Sequence, residues 1–376
     1  MMDVSRTDTS TLGRWWWGVD RWTMGALFLL IIMGCLMALA TGSSRMRDLS
    51  AAAATFRQLF FPTLAICIIV SVSLMPVRGV VRFAFLGLAA AIFLTALTLV
   101  IGTEIKGGRR WIHLLGQSIQ PSEFLKPFLA VCCAWLMVWG QKYGKFAAML
   151  VAVIPVLIAA LILKQQPDVG MLVVIVSVFM AQCFMAGLPM MLVGIGAVGA
   201  AALGVLAYFM HGHVRMRIDT YLNPPAPNPG SITQEERSLM AFGNGGLWGR
   251  GPGEGTVKTH LPDADADFVF AVLGEEYGLM FCMAVITIFA FVVLRGLARL
   301  TKERDLFVAL SASGLLVQFG LQAFINMGST LRLIPTKGMT LPLVSYGGSS
   351  MIGIALGMGM LLALTRRRHY RWNEGA

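Results

Sequence analysis

Charged side chains are scarce in this sequence. Only 13% of its 376 residues are charged, whereas 57% are hydrophobic. A water-soluble domain of this length needs a more highly charged surface, so the composition excludes one. The hydrophobic residues recur in runs of about 20, the length that an α-helix needs to cross a bilayer, whereas transmembrane barrels show shorter alternating segments. The sequence therefore predicts an all-α polytopic integral membrane protein.

Cysteine is missing from every predicted loop. All six cysteines lie in apolar runs: Cys35, Cys67, Cys132, Cys133, Cys183 and Cys282. They have no metal-ligand spacing and offer no disulfide to the external loops, so we expect no metal site. The glycine-rich run at 243–255 lacks the Lys-Ser/Thr pair of a phosphate-binding P-loop, which leaves a nucleotide site unsupported and favours a flexible loop.

Ten apolar segments predict about ten transmembrane helices. They lie near 23–42, 58–76, 83–102, 122–139, 147–163, 170–186, 188–210, 268–294, 306–327 and 347–365. An even number places both termini on one side, and the density of Lys and Arg favours the cytoplasm for that side. The predicted organisation is a cytoplasmic tail at 1–22, a membrane domain at 23–365 with one long extracytoplasmic loop at 211–266, and a cytoplasmic tail at 366–376.

Positive charge exceeds negative charge, with a formal net charge of +11. In a soluble protein this excess would indicate nucleic acid, but here the basic residues flank membrane spans. We expect these residues to set the orientation of the spans in the membrane and to contact anionic lipid, and we expect no nucleic-acid partner. The predicted outer loops are also basic, which suggests an anionic ligand on that side.

The loop at 102–127 contains the clearest cation cluster. Arg109 and Arg110 stand beside Trp111 at the predicted membrane surface. Arginine offers forked donors for paired phosphate oxygens, so these residues are candidates for binding a phosphorylated substrate. Ordinary anchoring at the membrane interface is the alternative.

Four further polar residues lie near the same predicted surface. Ser122 stands at a predicted helix start, on which Glu123 and Lys126 are three positions apart and can pair. That pair is either structural or a polar lining of a lipid groove. Asp168, in the turn after the fifth span, either caps the next helix or binds substrate or the Arg109–Arg110 cluster.

The long loop ends in an unusual charged stretch, LPDADADFVFAVLGEEYG at 261–278. Charge inside a span is costly, so its carboxylates are functional-site candidates. The D-x-D-x-D spacing resembles an EF-hand, but Phe268 occupies the required glycine position and Gly274 the required glutamate position, which excludes that site.

The five carboxylates of this stretch have different expected roles, and we expect Asp263 and Asp265 to form the solvated approach to Asp267. Asp267 is the last polar residue before the span, where it either caps the helix or acts as a base kept ionised by the positive helix end. Glu275 and Glu276 lie deeper, and we expect them to pair with a cation from another span or to line a substrate path.

The last outer element, at 326–353, is rich in proline and glycine. Its irregular pattern predicts a helix that breaks near the membrane surface and re-enters at SYGGSS, residues 345–350. Irregular backbone at that depth must line a cavity or contact protein. Lys337 and Ser345 are therefore further substrate-binding candidates.

Six motifs together resemble the SEDS family of bacterial envelope proteins, which act in shape, elongation, division and sporulation. In family order they are GRRWI at 108–112, QPSE at 120–123, QPDVG at 166–170, GNGGLWGRGPGEG at 243–255, LPDADADFVFAVLGEE at 261–276 and PTKGMTLPLVSYGGSS at 335–350. The last motif is more similar to the division branch of the family than to the elongation branch.

This resemblance implies a peptidoglycan glycosyltransferase that polymerises lipid II, the undecaprenyl-diphosphate-linked disaccharide pentapeptide, during septal wall synthesis. It implies ten spans in the bacterial cytoplasmic (inner) membrane, with catalysis at the outer face. It also implies a class B penicillin-binding protein, the crosslinking transpeptidase, and other division proteins as partners. The family's essential aspartate falls on Asp267, while the family's preceding Glu-Ala-His-Thr is Asp-Ala-Asp-Ala at 263–266.

The implied chemistry assigns roles to the candidate residues. Asp267 would be the general base for the acceptor sugar hydroxyl. Positive charge is needed at the donor diphosphate, for which Arg109, Arg110 and Lys337 are candidates, with Lys126 in an adjoining groove. No cofactor is required, although a divalent cation, Mg or Mn, is compatible with the chemistry.

Two other functions remain open at this point. A lipid II flippase or other transporter would use the intramembrane charges Glu123, Lys126, Glu275 and Glu276 along a path. A non-catalytic division scaffold would tolerate the loss of Asp267 entirely.

Overall fold

The computed structural model describes residues 10–45, 51–105, 108–114, 117–210, 212, 215–216, 219, 233–335 and 338–366. The helices whose bounds lie in this part are α1 (Thr11–Gly18), α2 (Arg21–Arg45), α3 (Ala51–Ser73), α4 (Val77–Ile101), α5 (Ser122–Gly140), α6 (Lys145–Gln165), α7 (Val169–Met185), α8 (Met190–Met210), α9 (Gln234–Gly245), α10 (Val269–Leu300), α11 (Leu306–Thr330) and α12 (Gly348–Leu364). Three short strands are β1 (Thr103–Ile105), β2 (Gly108–Leu114) and β3 (Gln117–Ile119).

Each of the ten predicted apolar segments lies on one helix, in chain order from α2 to α8 and from α10 to α12. Among the described residues, six helices are long and apolar enough to cross a membrane: α2, α4, α5, α6, α10 and α11. Residues 58–73 of α3, together with α7 and α12, form shorter apolar helices. The polytopic helical fold class is confirmed, and the count of ten crossings stays a prediction.

The loop after α4 contains a small sheet that the sequence analysis did not predict. The three strands form an antiparallel meander in the order β1-β2-β3, in which Glu104 pairs with Arg109 and Ile112 pairs with Ile119. Isoleucine and other β-branched residues suit such a pleated surface. The sheet packs on α4 through β2 and on α12 through β3, which gives this loop a fixed place on the helical core.

The interior is formed by α5, α11 and α12, which are buried along most of their length. Of these three, α5 and α11 have a lower mean hydropathy than the outward-facing α4, α6 and α10. Their polar side chains, including Glu123 and Lys126 on α5 and Gln322 and Asn326 on α11, are buried. Since polar groups facing lipid would be left without partners, these residues face protein instead.

The helix α9 lies in the second part of the long loop and begins at a capping box. Thr233 is its N-cap residue and forms a capping box with Glu236. The Thr233 hydroxyl accepts a hydrogen bond from Glu236 N at 3.3 Å, and the Glu236 carboxylate accepts one from Thr233 N at 3.0 Å. This helix packs along α10 and carries the chain into the glycine-rich run.

The helix α10 is broken at Gly278, which has φ 79° and ψ −178°. Beyond the break, Leu279 N and Met280 N donate to the carbonyl oxygens of Gly246 and Leu247, at 2.9 and 3.3 Å. Backbone groups freed at a helix break inside a membrane protein must find such partners. The predicted span at 268–294 is therefore two helical parts, 269–277 and 279–300.

The glycine-rich run packs against this break, so the expectation of a flexible loop is wrong. Arg250 N and Gly251 N donate to the carbonyl oxygens of Glu275 and Glu276, both at 3.0 Å. A side chain at Gly249 would collide with the carbonyl of Glu276, and no other residue type allows that approach. The glycines serve backbone contact with α10.

Replacing Gly278 with alanine should lower the thermal unfolding midpoint of the detergent-purified protein, measured by tryptophan fluorescence. The backbone conformation of Gly278, with positive φ and ψ near 180°, costs alanine about 1–3 kcal/mol, and the added Cβ would lie 2.5 Å from Leu247 O. Gly243→Ala is the matched control, because nothing lies within 4 Å of a Cβ at that helical position. We expect the control midpoint to stay or rise; equal midpoints for the two variants would contradict a glycine requirement at the break.

Candidate active site

Asp267 lies in a tight turn that leads into α10. The peptide nitrogens of Ala266 and Asp267 donate to Asp263 O at 3.1 and 3.0 Å, and Asp263 itself has a φ of 53°. Phe268, not Asp267, occupies the N-cap position of α10, and that cap has no side-chain hydrogen bond. The half-buried Asp267 therefore does not hold the capping position that the sequence offered as an alternative role.

The amide of Asn326 fixes this turn from the central helix α11. Its Nδ2 donates to Asp267 O at 2.9 Å and to Met339 O at 2.6 Å. On the side-chain side, a Cβ built on Gly338 would be 3.3 Å from the Asp267 carboxylate oxygen Oδ2. The carboxylate thus lies beside Gly338, and one buried amide anchors the backbone of both segments.

Ser345 joins the same two segments a second time. Its hydroxyl donates to Ala266 O at 2.5 Å and accepts a hydrogen bond from Leu341 N at 2.8 Å. The next residue, Tyr346, donates its peptide N–H to Asp265 O at 2.9 Å. Ser345 is buried and its hydroxyl already has two protein partners. It positions the turn of Asp267, and its expected contact with substrate stays a prediction.

Glu123 and Lys126 form the expected ion pair, 2.6 Å apart, in the protein interior. Lys126 Nζ also donates to Gln322 Oε1 at 2.7 Å. The amide nitrogen of Gln322 then donates to Thr340 O at 3.2 Å and to the hydroxyls of Thr340 and Ser350, both at 3.3 Å. The pair is part of a buried network that ties α5, α11 and α12 to the 338–346 segment.

Gln322 and Asn326 were not among the candidates predicted from the sequence, although they connect the two groups of candidates. They are four positions apart on α11 and therefore share one face of that helix. One amide reaches Lys126 and the other reaches the Asp267 turn. A signal was present, because two amides spaced by one turn within an apolar span indicate an interior polar face.

The predicted cluster of Arg109 and Arg110 is divided between two surfaces. Successive residues of a strand point to opposite faces, and both arginines lie on β2. Arg110 donates to two carbonyl oxygens of the 166–168 turn, both at 2.8 Å, and lies 3.7 Å from the Asp168 carboxylate. Arg109 is 52% exposed and lies 3.9 Å from Glu104. Arg109 is therefore the member that faces solvent.

Asp168 performs both of the structural roles that the sequence suggested. Its Oδ1 accepts a hydrogen bond from Met171 N at 3.1 Å, which caps α7. Its Oδ2 lies near Arg110 and accepts from Gln120 at 3.4 Å. Its carboxylate is nearly buried by these contacts. Its proposed substrate contact stays a prediction.

The other binding candidates have different settings. Ser122 is the first residue of α5, is buried, and accepts a hydrogen bond from Gln120 Nε2 at 3.1 Å. Trp111 is half-buried on β2. Lys337 lies outside the described residues, next to Gly338. Within the described part of the chain, no group of three or more His, Cys, Asp and Glu side chains is arranged to hold a metal ion.

The carboxylates of Glu275 and Glu276 fasten the preceding loop to α10. Glu275 accepts from Thr256 N and Val257 N, each at 3.0 Å. Glu276 lies 2.7 Å from Lys258 Nζ and accepts from Gly253 N at 3.1 Å. Both glutamates are fully buried. The expectation of a cation from another span is wrong, because Lys258 comes from the loop that leads directly to Asp267.

Replacing Lys258 tests how much the buried Lys258–Glu276 pair stabilises the fold. We expect Lys258→Met to destabilise the detergent-purified protein by about 3–5 kcal/mol, because Glu276 would keep an uncompensated buried charge. The double variant Lys258→Met/Glu276→Gln should recover most of that loss in an unfolding titration, since glutamine still accepts from Gly253 N.

The exposed Arg109–Glu104 pair supplies the control for this measurement. Arg109→Met should change the unfolding free energy by less than about 1 kcal/mol, as is usual for solvated pairs. Additive effects of the Lys258 and Glu276 substitutions would contradict a coupled buried pair.

The chain is similar to known proteins along nearly its whole length. The family model FTSW_RODA_SPOVE, described as a cell cycle protein, matches residues 21–370. A relative from Caulobacter vibrioides is named probable peptidoglycan glycosyltransferase FtsW. It is 41% identical over 368 residues, which cover 97% of this chain and 93% of the relative.

Two solved structures share the fold. One is a chain from a study described as "Structural coordination of polymerization and crosslinking by a peptidoglycan synthase complex". It has a TM-score of 0.73 and 26% identity, covering 92% of this chain and 97% of the other. The rod shape determining protein RodA of Thermus thermophilus has a TM-score of 0.63 and 25% identity, covering 93% and 97%.

Proposed function

The chain belongs to the FtsW, RodA and SpoVE family of cell cycle proteins, the SEDS family, and we propose that it is a peptidoglycan glycosyltransferase that polymerises lipid II. The name of the Caulobacter relative supports the enzyme class, and the match covers almost all of both chains. The apolar helices support a location in the bacterial inner membrane. The division branch, and hence septal wall synthesis, is the role that the FtsW relative favours.

The observation that carries this proposal is the setting of Asp267. Its turn is held by Asn326 on one side and by Ser345 on another, at hydrogen-bond distances between 2.5 and 2.9 Å. Asp267 immediately precedes Phe268, the N-cap residue of α10. A carboxylate on a backbone held in this way suits a general base that must meet a hydroxyl in one orientation.

The proposed reaction needs one base and one good leaving group. Asp267 accepts the proton of the acceptor sugar hydroxyl while that oxygen attacks the anomeric carbon of the donor sugar. The new glycosidic bond forms as the bond from the anomeric carbon to the diphosphate oxygen breaks, with inversion at that carbon. The undecaprenyl diphosphate leaves with the bonding electron pair, so no second carboxylate is needed as the acid.

Negative charge that develops on the leaving diphosphate requires positive charge near it. Among the described candidates, Arg109 is the exposed cation, whereas Arg110 and Lys126 are engaged with protein partners. We therefore assign the direct diphosphate contact to Arg109, together with Lys337 beside Gly338. Arg110 and Lys126 shape the surrounding surface.

The expected partners and orientation belong to the same proposal. A class B penicillin-binding protein would crosslink the product, and the similarity to a chain of a peptidoglycan synthase complex supports that pairing. Other division proteins would direct the pair to the septum. Both termini would lie in the cytoplasm, which places the Asp267 turn and α9 at the outer face. A divalent cation, Mg or Mn, would add positive charge at the diphosphate, and no step of the glycosyl transfer depends on it.

Transport of the same lipid is the main alternative, and the contacts favour it less. Its intramembrane charges are used in internal pairs, Glu123 with Lys126 and Glu276 with Lys258. The cavity beside Lys126 has a volume of about 10 Å³, the room of about one water molecule. A scaffold without catalysis would give no reason for two separate anchors on the Asp267 turn.

Asp267→Asn should lower the initial rate of glycan polymerisation by about 10²–10⁴-fold, because the amide keeps the shape but cannot act as a base. The measurement uses purified protein with its transpeptidase partner, fluorescent lipid II, and gel analysis of the glycan strands. Asp263→Asn is the matched control, since asparagine tolerates the positive φ at that position. Equal glycan output from wild type and Asp267→Asn would refute the catalytic assignment.

Asn326→Leu should lower the turnover rate per folded molecule by about 10–100-fold while the KM for lipid II changes little, because the base would lose its alignment. Ser329→Ala is the control on the same helix, since it removes only a hydroxyl that donates to Asn326 O. An increase in KM alone, or a loss explained by the unfolded fraction, would assign Asn326 to substrate binding or to packing instead.

A further inference from the structure

An open cavity of about 590 Å³ lies at the end of the protein away from the proposed active site. Its walls come from the end of α1, the start of α2 and the last turns of α10. The side chains that define it are Trp17, Asp20, Arg21, Trp22, Arg295 and Arg299. None of these residues takes part in the proposed glycosyl transfer, and a cavity of this volume is large enough for a small organic ligand.

The cavity carries a fixed excess of positive charge. Asp20 receives a two-pronged contact from Arg295, with Nε 2.9 Å from one carboxylate oxygen and Nη2 3.0 Å from the other. Arg299 Nη1 lies 3.0 Å from the same carboxylate. Together with Arg21, three arginines face one carboxylate, which leaves two positive charges in excess.

Asp20 holds the two helix α10 arginines in place. It is only 4% exposed, whereas the side chains of Arg295 and Arg299 are 32% and 27% exposed. Burial raises the pKa of Asp20, but hydrogen bonds from Arg295 and Thr23 and the nearby arginine charges outweigh that effect and hold the pKa below its ordinary value. The carboxylate is thus ionised at neutral pH, and its contribution to stability is lost only as the pH falls through that lowered pKa.

The cavity lies where two apolar helices end, which is where a membrane surface is expected. The apolar span of α2 begins at Arg21, and that of α10 ends at Leu300. Trp22 is 72% exposed there, and the guanidinium of Arg21 lies 4.8 Å from the ring centroid of Trp17. Tryptophan and arginine at the boundary between hydrocarbon and water are the residue types that meet lipid headgroups.

We propose that this cavity binds the phosphate headgroup of an anionic phospholipid. Arginine presents forked donors that match phosphate oxygens, and basic pockets between membrane helices select anionic over zwitterionic lipids. The tryptophans supply an apolar wall for the glycerol and the first acyl carbons. The bound lipid would join α1 and α2 to α10, the helix that begins beside Asp267. The proposal does not depend on the glycosyltransferase assignment.

Native mass spectrometry of the full chain in detergent tests the proposal. The protein is incubated with equal amounts of phosphatidylglycerol and phosphatidylcholine, and retained lipid is counted as the collision energy rises. We expect preferential retention of phosphatidylglycerol by the wild type. In Arg21→Gln/Arg299→Gln, which keeps the Asp20–Arg295 contact, retention should fall by at least about tenfold, since one basic residue contributes about fivefold.

Lys142→Gln is the matched control, because Lys142 lies over the rings of Trp139 and Tyr143 outside this cavity. Its retention of phosphatidylglycerol should equal that of the wild type. Equal retention of both lipids by the wild type, or equal phosphatidylglycerol retention in the double variant, would overturn the proposal. Displacement by an equal concentration of inorganic phosphate would assign the site to a free anion instead of a lipid.

The unfolding midpoint of each variant without added lipid separates binding from folding. If the double variant is not folded, Arg21→Gln alone serves as the test, because Arg21 has no hydrogen bond to Asp20 among those described and its loss leaves the α10 contacts intact. We expect about fivefold weaker retention in that single variant. Unchanged retention in a folded Arg21→Gln protein would also count against the site.

Discussion

The buried amide of Asn326 is the interaction on which the proposed active site depends. Its single nitrogen donates to the carbonyls of Asp267 and Met339, which belong to segments more than 70 residues apart. In a low-dielectric interior, the loss of such a bond leaves polar groups without partners, so the arrangement has few alternatives. Gln322, one turn away, donates from its amide nitrogen to Thr340 O and accepts a hydrogen bond from Lys126 Nζ at its amide oxygen. One face of α11 thus aligns both groups of candidate residues.

The break in α10 has a comparable role on the other side of Asp267. A helix can be interrupted inside a membrane only where other protein groups form hydrogen bonds with its freed backbone N–H and C=O groups. Here the glycine-rich run supplies those hydrogen bonds. The two glutamates before Gly278 then fix the loop that leads to the turn of Asp267. The backbone turn of Asp267 is consequently held between a closely packed loop and a central helix.

Buried and exposed charged residues differ in how closely they are paired in this protein. The buried carboxylates Glu123 and Glu276 each contact a lysine, so the interior holds paired charges. Arg109, in contrast, is half-exposed and lies at a long 3.9 Å from its acidic neighbour, where solvent screening makes the pair weak. Arg109 therefore stays accessible from solvent, while the two buried pairs are enclosed by the protein interior.

Local and repetitive properties were predictable from the sequence alone. The thickness of the hydrocarbon layer sets the length of apolar runs, which is why the ten segments fall on ten helices, and the Glu123–Lys126 pair follows from a spacing of three on one helix. The motifs pointed to Asp267 because the family pattern is contiguous there. The partner of Glu276, the anchoring by Asn326 and the separation of the basic residues on β2 were not predictable. Each depends on which distant segments meet, and only the packing of the helices decides that.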